Sequence, residues 1–477
     1  MDRLDHRVTR LHPERPIQGD RVLYWMQASV RIRDNLALAR AQSEARTRGL
    51  PLEVLFCLDP TYPGANARSF AFLLDGLEDV WIALNDRGIR LTVARGPAVP
   101  TLAAAGPGTA LAVFDRGYLP FARRQRFQAA EALSCPILEV EDNASVPVSL
   151  VSPHQEWTAA TLRPKLMRLA GREGPFPGVP SASLSGHGDR LASDLARAGI
   201  ETLPGPPSRK WLDRLEVDGS VGPTPLRGGE AQAEVLWNKF LDDKLERYDT
   251  ERNDPNLDGA SRLSPYLHFG HLSPVSLIAD LQVRGLWREP VSFRAAGEDA
   301  ASKFVDEALV RRELSFNLVW YQPEAASYRG LPAWAKRTLD DHTADRRPWV
   351  YIRSDWEASR THDPAWNAAQ RQLVATGTMP GYLRMYWGKK ILEWSADPAQ
   401  AFADALALND KYALDGRDPN SVAGVAWCFG MHDRPWGERP VFGTVRSMTY
   451  GGLKRKFDIG AYERRWGTSP EEITLQS

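Results

Sequence analysis

The stretch GYLRMYWGKKILEW, at residues 381–394, predicts a helix that carries two tryptophans. Trp387 and Trp394 are seven residues apart. On a helix of about 3.6 residues per turn they lie on one face, roughly 10 Å apart along the axis. Aromatic residues at this spacing are also typical of core packing. Spacing alone therefore leaves both a packing role and a redox role open.

A third tryptophan, Trp366, lies just upstream in the motif HDPAWNAAQ, at residues 362–370. Taken with residues 381–394, this motif resembles the class II cyclobutane pyrimidine dimer photolyases, and the resemblance extends from about residue 22 to residue 462. In that family such a helix holds tryptophans that relay an electron from the surface to a buried flavin. The resemblance thus implies an electron supply through Trp366, Trp387 and Trp394, with Tyr351 as an additional member.

Composition limits the functional classes. The 477 residues are enough for two or three domains, and 60 Lys and Arg balance 60 Asp and Glu, so a DNA-binding surface must be a local patch. Sixteen tryptophans favour an aromatic cofactor. Three scattered cysteines predict neither disulfides nor a metal site. No signal peptide and no apolar run of about 18 residues is found, so we expect a cytoplasmic, nucleoid-associated protein without a membrane segment.

The first half of the chain predicts an α/β domain. After a tail at residues 1–20, strands at 21–26, 52–58, 89–94, 110–114 and 136–140 alternate with helices such as 29–48 and 67–86. This alternation predicts a Rossmann-like parallel sheet over residues 21–170. No GxGxxG motif follows the first strand, so dehydrogenase-type dinucleotide binding is not supported.

Ligands of open α/β sheets bind at the carboxyl ends of the strands. In this chain those ends fall near residues 26–29, 59–62 and 115–118. An antenna chromophore could bind there, either an 8-hydroxy-deazaflavin or a folate. A domain that keeps the fold without a second pigment is the alternative.

The second half predicts a helical domain. Residues 171–229 are rich in Gly, Pro and Ser and are interpreted as an interdomain linker, with one helix near residues 190–198. Residues 230–477 contain few strand-like runs, so an all-α domain is expected. The resemblance makes it the domain that binds FAD and performs catalysis.

Two segments are predicted to hold this cofactor. Small and hydroxyl residues before a helix suit a pyrophosphate, although an ordinary helix cap is the alternative. The resemblance assigns this role to Tyr248, Ser261, Leu263 and Ser264, and Arg262 adds a charged donor.

The reduced flavin anion, FADH⁻, needs a cation near its ring, which an arginine held by a neighbouring carboxylate supplies. Arg384 and the pair Asn409 and Asp410 fit that role. Other photolyase classes have an asparagine just before the matching arginine, where this chain has Gly381 and Tyr382. The resemblance to class II therefore places the contact to flavin N5 on Asn409.

The lesion-binding side is predicted from a carboxylate and a basic patch. Glu307 lies on an amphipathic helix, and the resemblance implies that it contacts the carbonyl groups of the dimer. A pairing with Arg311 one turn later is the alternative. Basic and aromatic residues alternate between residues 427 and 457, which suits phosphate contacts and base stacking, although a solvated charged face is the alternative. The predicted substrate residues are Glu307, Arg311, Met385, Trp427, Arg434, Trp436 and Arg446.

These residues predict light-driven repair of cyclobutane pyrimidine dimers in UV-damaged DNA by a monomeric enzyme. Excited FADH⁻ would donate an electron to the flipped-out dimer. A cryptochrome-like photoreceptor without repair activity is the alternative on the same fold. A flavin-free nucleotide-binding protein is the third hypothesis.

Overall fold

The structure, a computed structural model, describes residues 5–170, 190–288 and 297–467. Residues 171–189 of the predicted linker and residues 1–4 of the predicted tail lie outside the described residues. The predicted fold class is confirmed, because an α/β domain precedes a helical domain.

The N-terminal domain is built on a six-stranded sheet with the order β1-β6-β5-β2-β3-β4. Strand β1 runs antiparallel to β6, and the other pairings are parallel. All five predicted strands form. The strands are β1 Val8–Leu11, β2 Arg21–Trp25, β3 Leu52–Leu58, β4 Arg90–Arg95, β5 Thr109–Asp115 and β6 Ile137–Val140.

Both faces of this sheet are covered. Along β2, Val22 and Tyr24 belong to one apolar cluster, whereas Leu23 and Trp25 belong to another on the opposite face. Successive side chains of a strand point to opposite faces, so helices must pack on each side to bury such a continuous apolar run.

The predicted tail differs from the structure, because Val8–Leu11 pairs along β6 and extends the sheet by one edge strand. Its central residues, Thr9 and Arg10, are exposed, so the strand lacks the apolar signal of the buried ones. Its pairing across more than a hundred residues is a tertiary effect.

The helices have the following bounds in chain order: α1 Leu36–Arg48, α2 Ala67–Asn85, α3 Ala98–Ala105, α4 Pro120–Ala132, α5 Val148–Val151, α6 Ala159–Ala170, α7 Arg190–Arg197, α8 Leu212–Leu215, α9 Glu230–Asp243, α10 Tyr248–Glu251, α11 Ser264–His268, α12 Pro274–Val283, α13 Ala300–Val305, α14 Arg312–Tyr321, α15 Ala333–Asp341, α16 Arg353–Glu357, α17 Pro364–Thr376, α18 Gly381–Glu393, α19 Pro398–Tyr412, α20 Pro419–Cys428, α21 Tyr450–Lys456 and α22 Ile459–Arg465. A π-helical segment, Asp306–Arg311, joins α13 to α14.

The described part of the predicted linker packs against the α/β domain. Helix α7 buries Leu191 and Leu195 on one face of the sheet, and Asp194 pairs with Arg21 at 2.7 Å. Leu203 donates a backbone hydrogen bond to Val93 of β4 at 2.8 Å. Residues 190–203 are therefore part of the N-terminal domain rather than a free connection.

The helical domain is centred on α17, α18, α19 and α20, which share one large apolar cluster. Across the described ranges, no helix combines the length and apolar character needed to cross a membrane. In the same ranges, no group of three or more His, Cys, Asp or Glu side chains is arranged to hold a metal ion.

Candidate active site

Two of the predicted redox residues stack directly. The rings of Trp366 on α17 and Trp387 on α18 lie parallel, with centroids 6.2 Å apart and 7° between their planes. The Trp366 indole N–H donates to the Trp387 carbonyl at 3.1 Å, and the Trp387 indole N–H donates to Gln370 at 2.8 Å. Both rings are fully buried. Their geometry is therefore fixed by hydrogen bonds as well as by packing.

Trp394, at the end of α18, connects to this pair through a residue that the sequence analysis did not single out. The Trp356 ring lies 5.0 Å from Trp366 and 6.1 Å from Trp394, centroid to centroid. It lies on the five-residue helix α16, in a segment without helical periodicity. The count of tryptophans was the only signal for it.

The outer end of this cluster is a tyrosine and histidine pair. Tyr351 donates its O–H to His362 Nδ1 at 2.9 Å and accepts the backbone N–H of His362 at 2.8 Å. Burial lowers the pKa of His362, which favours the neutral imidazole as a proton acceptor. Trp349, about half exposed, stacks on His362 at 4.5 Å. The cluster thus extends from the core to solvent.

Arg384 lies in the first turn of α18 and is held by a carboxylate. Its Nη1 is 3.0 Å from Asp415 Oδ1, although that buried oxygen accepts no well-aligned hydrogen bond. The guanidinium therefore keeps N–H groups for a ligand. Asp415 was not among the predicted site residues, because a carboxylate in a turn 31 residues away gives no local signal.

Asn409 and Asp410 form a separate network at the end of α19. The Asn409 amide N–H donates to Ser421 Oγ at 2.6 Å, and Ser421 donates to Asp410 at 2.7 Å. Asp410 also accepts the backbone N–H of Arg417 at 2.8 Å. Asp410 thus acts through Ser421 on the orientation of Asn409, whose contact with flavin stays a prediction.

The predicted phosphate segment forms a loop before α11. Arg262 adopts a left-handed conformation, with φ of 59°, and pairs with Asp258 at 2.8 Å. Helix α11 has only one turn, so hydroxyl and backbone N–H groups rather than a long helix dipole would contact a phosphate. Ser261 and Ser264 supply such groups on either side of the buried Leu263.

This loop is tied to helix α20, which carries Ser421, the hydrogen-bond partner of Asn409. His268 at the end of α11 makes a 3.1 Å contact with Asp418, which caps α20. Tyr248, which precedes this loop in the sequence, is buried against Phe240 and Phe304. Burial raises its pKa to about 12. This donor set, with its hydroxyls, amide and half-satisfied guanidinium, fits FAD.

Glu307 lies in the π-helical segment and pairs with Arg252 at 2.6 Å. The alternative pairing with Arg311 is wrong, because Arg311 instead contacts Asp306 at 3.3 Å. The wider π turn aligns residues five apart, whereas an α-helix aligns residues four apart. Such turns occur frequently at functional sites. Arg252 is a further site residue that the sequence analysis did not assign.

Three predicted substrate residues come together beside Glu307. The Arg311 guanidinium lies 5.0 Å from the centroid of the Trp427 ring. Trp427 precedes Cys428, whose sulfur is 3.9 Å from the Met385 sulfur. The structure therefore places Arg311, Trp427 and Met385 on adjoining elements, as a flipping pocket requires.

The basic patch contains an indole between two cations. The exposed Trp436 ring has Arg446 at 4.9 Å and Arg434 at 5.5 Å from its centroid. Its indole N–H donates to Asp433 at 3.1 Å, which fixes the ring. A rigid aromatic with flanking positive charge suits stacking beside a phosphate backbone.

A cavity of about 190 Å³, here called the strand-end cavity, lies where ligands of α/β sheets are expected. Gln27, Asp59, Tyr62 and Arg116 from the three predicted strand ends line it, together with residues of the helical domain such as Phe269. Pockets that enclose a whole drug-sized ligand typically measure roughly 300–1,000 Å³. A chromophore bound here would therefore keep part of its structure in solvent.

Comparison with known proteins agrees with this geometry. A family model described as DNA photolyase matches residues 22–180. The deoxyribodipyrimidine photo-lyase of Methanothermobacter thermautotrophicus is 43% identical over 460 residues, which cover 96% of this chain and 97% of that protein. The chain belongs to the DNA photolyase family.

Other photolyases extend the comparison. The deoxyribodipyrimidine photo-lyase of Oryza sativa is 36% identical, and the alignment covers 96% of this chain and 89% of that protein. The deoxyribodipyrimidine photo-lyase of Potorous tridactylus is 35% identical, and the alignment covers 94% of this chain and 81% of that protein. The crystal structure of a class III photolyase from Agrobacterium tumefaciens has a TM-score of 0.65 at 20% identity. It covers 94% of this chain and 86% of that one, and it supports the photolyase fold.

Proposed function

We propose that this chain is a class II cyclobutane pyrimidine dimer photolyase, which splits dimers in UV-damaged DNA with light. The observations that carry the proposal are the contact of Arg311, four residues after Glu307, with the Trp427 ring, and the contact of Cys428, the next residue, with Met385, two residues before Trp387 of the buried tryptophan stack. Class II is supported by Asn409, whose amide is oriented through Ser421, and by Gly381 and Tyr382 before Arg384 in place of an asparagine.

Bound FAD, as FADH⁻, supplies the excited electron that opens the cyclobutane ring. Ser261, Ser264 and Tyr248 would hold its phosphates, and the Arg384 guanidinium would balance the charge of the reduced ring. Asn409 would contact N5. The remaining chemistry is positional, because dimer splitting by a donated and returned electron needs no net proton or group transfer.

Glu307 and Arg252 would orient the dimer. Arg252, whose guanidinium lies 5.4 Å from the centroid of the buried Tyr248 ring, fixes the carboxylate, which would accept a hydrogen bond from a pyrimidine N–H of the dimer. Trp427 and Met385 would pack on the flipped bases, while Trp436 and Arg446 would contact the DNA around them. A dimer stacks poorly, so it costs less to extrude than a normal pair.

Trp387 and Trp366 would return oxidised flavin to its active state, together with Trp394 and Tyr351. Their parallel stack gives short distances between rings, and the Tyr351–His362 pair gives an outlet for a proton at the solvent end. No feature of the described residues favours a photoreceptor that lacks repair activity.

The strand-end cavity is our proposed antenna site. Aromatic residues and Arg116 and Arg126 line it, which suits a planar pigment with a negative or polar edge such as an 8-hydroxy-deazaflavin. The same proposal includes a monomer that works on nucleoid DNA inside the cell, with an α/β domain that begins at strand β1 and takes in residues 190–203, and a catalytic domain at 230–477.

The decisive experiment is repair of a thymine-dimer oligonucleotide by purified, chemically reduced protein under blue light. Recovery of thymine absorbance in the light, and none in the dark, is the expected result. Protein that binds flavin and restores no monomers under illumination would contradict the proposal. An absorption band beyond that of flavin would identify the antenna pigment.

A further inference from the structure

The two tryptophans of α18 do not contact each other, although they belong to one predicted relay. Trp387 stacks on Trp366, whereas Trp394 lies against Trp356, Tyr351 and His362. Within the described residues, no ring contact joins Trp366 directly to Trp394. Trp356 is the ring that touches both, at centroid distances of 5.0 and 6.1 Å.

The packing of Trp356 gives no structural reason for an indole. Its side chain is completely buried, and its Nε1–H has no hydrogen-bond acceptor. A buried polar group without a partner costs about 1–3 kcal/mol. Phenylalanine would fill most of this space without that cost. The property that tryptophan adds at this position is a ring of lower oxidation potential.

We propose that Trp356 is an electron-relay residue that connects Trp366 to Trp394, which extends the flavin reduction assigned under the proposed function. The rate of electron tunnelling falls exponentially with the distance between ring edges. The four rings form a path in which every step joins two rings in contact, with centroids 6.2, 5.0 and 6.1 Å apart. The nearly parallel planes of Trp356 and Trp394, 11° apart, favour orbital overlap in the outer step.

The electron balance is as follows for one absorbed photon. In the flavin-loaded protein Trp387 would give one electron to the photoexcited oxidised cofactor, and Trp366, Trp356 and Trp394 would each in turn give one electron inward. Trp394 is only 4% exposed, so a thiol reductant in solution would supply the final electron by way of Tyr351, whose ring contacts Trp394. No proton leaves Trp356, because its Nε1–H has no acceptor, so it passes through the cationic radical state.

Transient absorption of the flavin-loaded Trp356→Phe protein tests this assignment. The first electron step from Trp387 should remain, whereas the yield of long-lived tryptophan radical should fall to that of Trp394→Phe. Steady-state reduction of the flavin under light should fall in parallel. Repair by chemically reduced enzyme should equal that of the native protein.

Trp25→Phe is the matched control. Trp25 is also buried with an unpartnered Nε1–H, but it lies on β2 and packs against Phe114, outside the relay. Both variants should show similar shifts of the unfolding temperature, and only Trp356→Phe should lose the long-lived radical. If the Phe variant does not fold, Trp356→Tyr provides a larger side chain than phenylalanine. It should block the path equally, because a tyrosine there has no acceptor for its proton.

Native radical yield in a folded Trp356 variant would overturn the assignment. A failure of the proposed function would look different. In that case the Trp387→Phe protein would still reduce its flavin in light, or the native protein would bind no flavin.

Discussion

Replacement of Glu307 tests the lesion-binding hypothesis most directly. Glu307→Ala removes the carboxylate that pairs with Arg252 at 2.6 Å, and the two side chains are 40% and 25% exposed. A pair with this exposure contributes under about 1 kcal/mol to the free energy of unfolding, because solvent screens it. The unfolding temperature should therefore shift by less than about 4 °C.

The effect on the lesion should be much larger. A hydrogen bond to a charged group contributes about 1.5–3 kcal/mol, which corresponds to about 10- to 150-fold in affinity. We expect the Kd for a dimer-containing duplex to rise by that factor, with a lower repair yield per absorbed photon. The flavin absorption spectrum should not change.

Fluorescence anisotropy with damaged and undamaged duplexes gives the affinity, and flash photolysis gives the repair yield. Glu298→Ala is the control, because it removes an equal charge from an exposed position before α13. Glu307→Gln should fall between the native protein and Glu307→Ala, since the amide keeps a hydrogen bond but loses the ion pair. Unchanged dimer affinity and repair yield in Glu307→Ala would refute the role of this carboxylate.

Three further outcomes are expected. Trp387→Phe should abolish light-driven reduction of oxidised flavin and preserve repair by chemically reduced enzyme. If the variant lost flavin photoreduction and repair alike, the ring would be structural. Burial lowers the pKa of His362, so the rate of re-reduction through Tyr351 should stay constant across neutral pH and slow only in acid, where the imidazole becomes charged. In transient absorption, His362→Phe should remove this pH dependence. A variant with the same pH profile as the native protein would contradict the proton-acceptor role. Arg446→Ala should weaken binding of damaged and undamaged DNA alike and lower the slope of log K against log salt by about 1, whereas loss of dimer binding alone in a salt titration would argue against a phosphate contact.

The strands and the long helices were predictable because their signals are local. The apolar run of β3 and the tryptophan motif of α18 follow from residues adjacent in sequence, and the structure has them at the predicted places. Strand β1 was not predicted, since it is exposed at an edge, whereas helix α7 was predicted but its packing on the sheet was not. Their positions depend on the sheet that they cover.

The site divides in the same way. Family motifs named Glu307, Arg384, Asn409 and the tryptophans, but their partners come from distant segments: Arg252 for Glu307, Asp415 for Arg384 and Trp356 for the relay. In the π turn at Asp306–Arg311, Arg311 pairs with Asp306 and not with Glu307, the alternative that α-helical spacing had suggested.

The sequence by itself thus determined the order of the elements and the residue types for flavin and DNA chemistry. Only the tertiary structure decided which charges and rings meet, because contacts between distant segments depend on how helices pack and not on the spacing within any one of them.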